Sequence, residues 1–321
     1  MQIGILAKKT VEFCLTLFFS SFLLFFLIHL APGDPVKLLL GDPEVPMTDT
    51  TLYEKRYEEM REELHLNSPL PIQYWVWLKR VSQLDLGTSI FTKRPVSDEL
   101  LDRIPATLLL SLPALALQVL LGVSLGTASA THRGQPTDQA IRILCVVLAA
   151  IPAFALGLFL LYYFGVIRQI YEISNSAGWT RLWLPAITLG TISSPPLIRV
   201  MRANMLQEFG KTYIASTIAR GMGRSQIVRN AFRNTLLPLI TMTAMSLTSQ
   251  LGGAVIVENI FSWPGVGKYA LDSIMLHDYP VIQGYGLVML VMVITVNYGV
   301  DVICFAADPR LNNAQKESSE R

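Results

Sequence analysis

Between Arg103 and His132 the chain reads IPATLLLSLPALALQVLLGVSLGTASAT, residues 104–131, with no charged side chain. A helix rises about 1.5 Å per residue, so a run of this length crosses the roughly 30 Å hydrocarbon core of a bilayer with residues to spare. Five more charge-free stretches accompany it: Glu12 to Asp34, Arg142 to Arg168, Arg181 to Arg199, Arg233 to Glu258 and Asp278 to Asp301. Only 16% of the 321 residues are charged and 51% are hydrophobic, whereas soluble domains carry about a quarter charged residues. The expected fold is all-α: a polytopic membrane protein with six transmembrane helices.

The weakest of the six is Leu182 to Ile198, which is short and contains Pro185, Pro195 and Pro196. Proline removes a backbone donor, so this span is expected to be broken or buried among its neighbours. Lys8 and Lys9 precede the first apolar run as in a signal peptide, but the run is longer than a signal core and Leu30-Ala31-Pro32-Gly33-Asp34-Pro35 offers no small-x-small cleavage site. An uncleaved anchor is expected. Cys14, Cys145 and Cys304 fall in apolar stretches without metal or disulfide spacing and read as packing residues.

Basic residues near span ends prefer the cytoplasm. Lys8 and Lys9 place the N-terminus there, as Arg133 and Arg142 place the 131–142 loop. The segment 199–233 carries Arg199, Arg202, Lys211, Arg220, Arg224, Arg229 and Arg233 against only Glu208, and is cytoplasmic on the same count. Residues 34 to 104 hold nine basic and thirteen acidic residues, a net of −4, and belong outside. Six spans return the C-terminus, with Arg310, Lys316 and Arg321, to the cytoplasm. The expected domains are an N-terminal segment and first span (1–33), an external helical subdomain (34–104), a core of five spans (105–312) with a cytoplasmic loop at 199–235, and a disordered polar tail (313–321). Within the external insertion, Thr51 and Glu54 have capping-box spacing ahead of a helical face at Tyr53, Tyr57, Met60 and Leu64. A second helix carries Tyr74, Trp75 and Trp77, whose rings suit a membrane interface, and a short third one, Val96 to Arg103, leads into the next span.

Nothing in the spans supplies power. Ion-coupled carriers place ionisable groups mid-membrane, whereas His29, Glu258 and Asp301 lie near span ends. The nearest approach to a phosphate-binding loop, Ser262-Trp263-Pro264-Gly265-Val266-Gly267-Lys268-Tyr269, lacks the first glycine and the final hydroxyl residue, and no HExxH is present. The basic segment YIASTIARGMGRSQIVRNAFRNTLLPLI, residues 213–240, is longer than a hairpin needs. Tyr213 to Ala219 suits a short helix exposing the small residues Ala215, Ser216 and Ala219 to a partner. Gly221 supplies the turn that ends it, Ile227 and Phe232 pack inward, and Pro238 falls early in the fifth span. The alternative is a basic loop that merely satisfies the charge rule.

Those residues, with Arg229-Asn230-Ala231-Phe232-Arg233-Asn234 and Leu237-Pro238, resemble the EAA loop of a known family. The family is the B-type permease subunits of ATP-binding-cassette importers for dipeptides, oligopeptides and nickel. Ala215 stands where a glutamate often lies, and Thr217 replaces an alanine. Four further blocks resemble the same branch: Ala31-Pro32-Gly33-Asp34-Pro35; Leu84-Asp85-Leu86-Gly87-Thr88-Ser89; Glu258-Asn259-Ile260-Phe261-Ser262-Trp263-Pro264-Gly265-Val266-Gly267 with Asp278-Tyr279-Pro280-Val281-Ile282-Gln283; and Asp308-Pro309-Arg310. The resemblance implies a type I importer permease fold and a place in the bacterial inner membrane. It implies a heterodimer with a second permease subunit, two cytoplasmic ATPases that bind ATP and magnesium, and an external solute-binding protein. No cofactor or catalytic residue is implied for this chain, nor a nucleic-acid partner.

On the same resemblance, the ATPase-coupling residues are Tyr213, Ala215, Ala219, Gly221, Ile227, Arg229 and Asn234. Candidates for the pathway or gate are Ser249 and Gln250, in a polar stripe before Gly252-Gly253 that suits either a path or close packing, and Glu258 and Trp263 in the outer hairpin. The wording of the hairpin and of Arg94-Pro95-Val96 favours nickel or a metal chelate as cargo, with dipeptides or oligopeptides as the alternative; His29, Met275 and His277 are the only candidate metal ligands. A stand-alone channel or ion-coupled carrier is the alternative of a different class.

Overall fold

The computed structural model describes residues 2–29, 50–63, 67–174 and 176–307, all helical or irregular apart from one isolated bridge between Thr88 and Pro95. Ala31 to Pro35, Asp308 to Arg310 and the tail therefore lie outside the described residues. The helices are α1 (Gln2–His29), α2 (Thr50–Glu63), α3 (Leu70–Ser82), α4 (Val96–Thr131), α5 (Pro136–Ala150), α6 (Ala153–Leu161), α7 (Trp179–Ile192), α8 (Ser194–Phe209), α9 (Thr212–Ala219), α10 (Arg224–Ile260), α11 (Val266–Met275) and α12 (Tyr279–Ala307), with a π-helical turn at Tyr162–Ile167.

By length and composition, four stretches suffice to cross a membrane: Lys9–Leu27, Val96–Thr131, Arg224–Ile260 and Tyr279–Val300. The expected third span differs from a straight rod. It is broken at Ile151-Pro152, where α5 and the α6 segment meet at 94°. The residue before a proline avoids helical dihedrals, and Ile151 is accordingly extended, with ψ 123°. With this bent pair the count of crossings reaches five. The remaining expected span, Leu182 to Ile198, is divided between α7 and α8, which meet at Ser193. Leu184, Leu189, Leu197 and Ile198 are all buried, as its prolines foretold.

Two further expectations are corrected. Val96 to Arg103 is no separate helix but the first turns of the 36-residue α4, which runs through Pro105 and Pro113. The carbonyl left without its donor by Pro105 is that of Leu101, a residue 62% exposed, so interfacial water can satisfy it. Likewise Pro238 does not open a span: α10 starts at Arg224, and the arginine-rich segment forms its first turns.

The chain divides into two compact units, one of residues 1–104 and 269–294, the other of 105–268 and 295–321. In the first, α1 packs on α3 through a ring cluster around Tyr74, whose neighbours include Phe18, Phe22, Phe25 and Trp77. The Tyr74 hydroxyl lies 2.9 Å from that of Ser21, so the buried polar tip is paired. Trp75, on the other side of α3, is exposed, in keeping with an interfacial anchor. In the second unit, Gly122 and Gly126 of α4 lie against Leu197 and Met201 of α8. A Cβ at Gly126 would stand 2.6 Å from that of Met201 and 2.9 Å from the Ile198 carbonyl. Small residues four apart let two helices approach at backbone distance, which in lipid replaces the missing hydrophobic drive.

Candidate functional site

The segment expected to couple to a partner folds as a framed helix. α9 buries Ile214 and Thr217 and leaves Ala215, Ser216, Ile218 and Ala219 exposed, so its outward face carries three small residues and one large apolar one. Ile214 joins a core of Leu197, Met201, Met205, Ala231 and Leu239, with Ile227 and Phe232 packed against it. The helix ends where Arg220 and Gly221 turn the chain, with Gly221 at φ +72°, a region costly for any side-chain-bearing residue.

A polar clamp holds the base of α9. The Tyr213 hydroxyl donates to Glu208 Oε2 at 2.8 Å and accepts from Asn234 Nδ2 at 2.8 Å, while Lys211 donates to the other carboxylate oxygen. Three helices, α8, α9 and α10, are thereby tied at one point. Burial pushes the Glu208 carboxyl up, but the hydrogen bonds from Lys211 and Tyr213 outweigh it and hold the group below its ordinary value of 4.5. Burial and the neighbouring Glu208 both push the Tyr213 hydroxyl up. A carboxyl with a lowered folded value stabilises the clamp above pH 4.5, and that contribution is lost as pH falls through the lowered value. The clamp is therefore expected to hold α9 equally well across neutral pH. Tyr213→Phe removes the central hydroxyl at a cost of about 1 kcal/mol. In the ATPase complex that the resemblance implies, solute-stimulated ATP hydrolysis should then fall with little change in yield, and unaltered stimulation would leave the clamp without a role in coupling.

Among the other expected coupling residues, Arg229 is exposed on α10 and Ile227 half-buried. Glu208, the one acid of the basic segment, was a signal in plain view, since a lone carboxylate among seven cations is a natural clamp.

The pathway candidates separate into different settings. Ser249 is exposed, whereas Gln250 is buried and donates from Nε2 to Gln118 Oε1 at 2.6 Å. Gln118 in turn donates to the Ser193 carbonyl and to Ser246, joining α4, α10 and the α7–α8 junction. Gln118 was the one amide in the uncharged run 104–131 and went unremarked.

Glu258 and Trp263 are fully buried and belong to one construction. Glu258 Oε1 accepts from the Thr107 hydroxyl at 2.6 Å, and Oε2 from the Lys268 amide at 2.9 Å. Thr107 Oγ1 also accepts from the Val266 amide at 2.9 Å. The carboxyl thus caps the N-terminus of α11, where orphan amides and the helix dipole favour an acceptor. Trp263 Nε1 donates to the Ala106 carbonyl at 2.7 Å, and the buried Arg181 donates from Nη2 to the Phe261 carbonyl at 3.0 Å. Gly265 and Gly267 exist for this approach: a Cβ on Gly265 would strike the Glu258 carboxyl, and one on Gly267 would lie 2.7 Å from Val255 Cγ2.

In the other unit, Ser89 donates to Asp278 Oδ2 at 2.6 Å and the Ile90 amide donates to the same oxygen at 3.1 Å. Two of the resembling blocks, Leu84 to Ser89 and Asp278 to Gln283, meet there. Met275 and His277 are exposed, and the side chain of His29 lies outside the described residues. Among the described residues no three His, Cys, Asp or Glu side chains gather as metal ligands.

Residues 118–313 match the family model "Binding-protein-dependent transport system inner membrane component", and residues 2–111 match the model of its N-terminal part. The glutathione transport system permease protein GsiC of Salmonella choleraesuis (strain SC-B67) is 33% identical over 305 residues, covering 95% of this chain and 97% of that one. Its counterpart in Escherichia coli (strain K12) is 32% identical over the same coverage. Among solved structures, one of inward-facing conformations of the MetNI methionine ABC transporter aligns with a TM-score of 0.56 at 16% identity, over 65% of this chain and 96% of that one, a likeness of fold.

Proposed function

The chain belongs to the family of binding-protein-dependent transport system inner membrane components, a permease subunit of an ATP-binding-cassette importer, and on that premise we propose that it carries short peptides of the glutathione class. The identity of 33% over nearly the whole chain to a glutathione permease supports this reading over the nickel or metal-chelate cargo favoured by the hairpin wording. The peptide alternative is therefore preferred, and Met275 and His277 are assigned no metal.

The proposed assembly pairs this chain with a second permease subunit, two cytoplasmic ATPases binding ATP and magnesium, and an external solute-binding protein. Both termini lie in the cytoplasm. α9 docks on an ATPase through Ala215, Ala219 and Gly221, with Arg229 at its flank, and moves as a lever when the ATPases close. A lever must make different contacts in two states, which a framed helix can do and a slack loop cannot. The observation that carries this is α9 itself: eight residues with an exposed face of three small residues and one large apolar one, tied at the base by Glu208, Tyr213 and Asn234.

Uptake settles the cargo. Cells lacking the chain, and the same cells restored with it, are given radiolabelled glutathione, a labelled dipeptide, or labelled nickel with and without chelator. Restoration of glutathione or dipeptide uptake alone is the expected result, and restoration of nickel uptake alone would reverse the assignment. Transport by the purified chain in liposomes without ATPases would reject the coupling scheme.

A further inference from the structure

Beside the frame of α9, the end of α4 and the start of α10 diverge and leave an open groove of about 750 Å³. Each helix contributes one continuous face, Val123 to Thr131 from α4, with His132 just past its end, and Arg224 to Phe232 from α10. Polarity runs the same way on both walls. Val123 and Phe232 form the deep part, within or beside the charge-free stretches; Val228 and Arg229 lie about one turn nearer the rim, where His132 and Arg224 stand. No acidic residue lines the groove. Arg224 spends one N–H on the Thr131 carbonyl, at 2.7 Å, and that bond closes the top of the groove while its other donors stay available. Between rim and floor, the Thr127 hydroxyl is buried and has no hydrogen-bond partner among the described residues, whereas Ser124 and Thr131 on the same wall bond back to carbonyls.

A basic rim, one unpaired hydroxyl below it and an apolar floor reproduce in order the phosphate, glycerol ester and acyl chain of a membrane lipid. We propose that this groove holds one anionic phospholipid, its phosphate at Arg224 and His132, its ester level with Thr127 and its chain along Val123, Val228 and Phe232. Basic clefts between membrane helices attract anionic headgroups, with each cation near the surface contributing about 1 kcal/mol. The lipid would fill the space between α4 and α10 and steady the first turns of α10, from which α9 is framed. This inference requires only that α4 and α10 cross the membrane, and neither the cargo nor the coupling scheme bears on it.

The test uses the assembled transporter in nanodiscs of equal parts phosphatidylcholine and phosphatidylglycerol, with retained lipid identified by native mass spectrometry. The wild-type complex should retain phosphatidylglycerol in preference to phosphatidylcholine. Arg224→Gln should lower that preference about fivefold, and Ser124→Trp, which fills the groove without changing charge, should abolish it. Equal retention of the two lipids by the wild-type complex overturns the proposal even if neither variant assembles. Loss with Arg224→Gln but not with Ser124→Trp would reveal a diffuse basic surface and overturn it too. So would a disulfide from Ser124→Cys to a cysteine of the second permease subunit, since a protein would then occupy the groove.

Discussion

Gly221→Pro is expected to abolish solute-stimulated ATP hydrolysis in the assembled complex while leaving membrane insertion intact. Gly221 sits at φ +72° and its amide donates to the Ile218 carbonyl at 2.9 Å. Proline fixes φ near −65° and has no amide, so it forbids the turn and deletes the bond, a cost of about 3 kcal/mol or more. The chain can then leave α9 only along another path, and the clamp among Glu208, Tyr213 and Asn234 must open or shift. Gly221→Ala separates conformation from bulk. Nothing lies within 4 Å of a Cβ placed there, so alanine meets only the left-handed penalty of about 1 kcal/mol and should keep most of the stimulation. The measurement is ATPase rate in proteoliposomes with and without loaded solute-binding protein. Full stimulation in the proline variant would free the ATPases from any dependence on this turn.

What could be read in advance was whatever hydrocarbon and backbone chemistry dictate locally. The run 104–131 is helical because a bilayer admits few other ways to satisfy its amides, and Tyr213 to Ala219 forms α9 because a glycine able to adopt positive φ follows it. The prolines of Leu182 to Ile198 foretold a broken, buried pair. Where the reading fell short, competing local rules were in play. Val96 to Arg103 was expected as a separate short helix, but α4 runs on through Pro105, because the carbonyl it orphans faces outward; Pro152 was passed over, although Ile151 before it leaves the helix. The arginines of α10 looked like loop because charge was weighed above continuity. Partners distant in sequence were beyond reach altogether: Thr107 and Glu258 lie 151 positions apart, and Gln118 and Gln250 132. A single chain carries no pairing signal for side chains that meet only after helices have packed.

The same long-range contact supplies the second large effect. Glu258→Leu should markedly destabilise the complex, because it removes the acceptor of the buried Thr107 hydroxyl and of the half-buried Lys268 amide. A buried donor that loses its acceptor costs about 1–3 kcal/mol, the penalty that applies to Thr107. Glu258→Gln should be milder: its carbonyl can still receive Thr107, but its amide nitrogen then faces the Lys268 N–H, and that one bond is lost. Gly265→Ala attacks the clasp from the other side, since its methyl must enter the space of a carboxyl whose two oxygens are both held. A hairpin that swings as a plug would tolerate all three changes, because it would have to release Glu258 in every cycle. One fixed to α4 would not. Limited proteolysis between Phe261 and Lys268, together with thermal stability of the detergent-purified complex, distinguishes them: cleavage should rise and the melting temperature fall in the order wild type, Gln, Leu. If the leucine variant is as protected and as stable as the parent, the carboxyl does not fasten the hairpin.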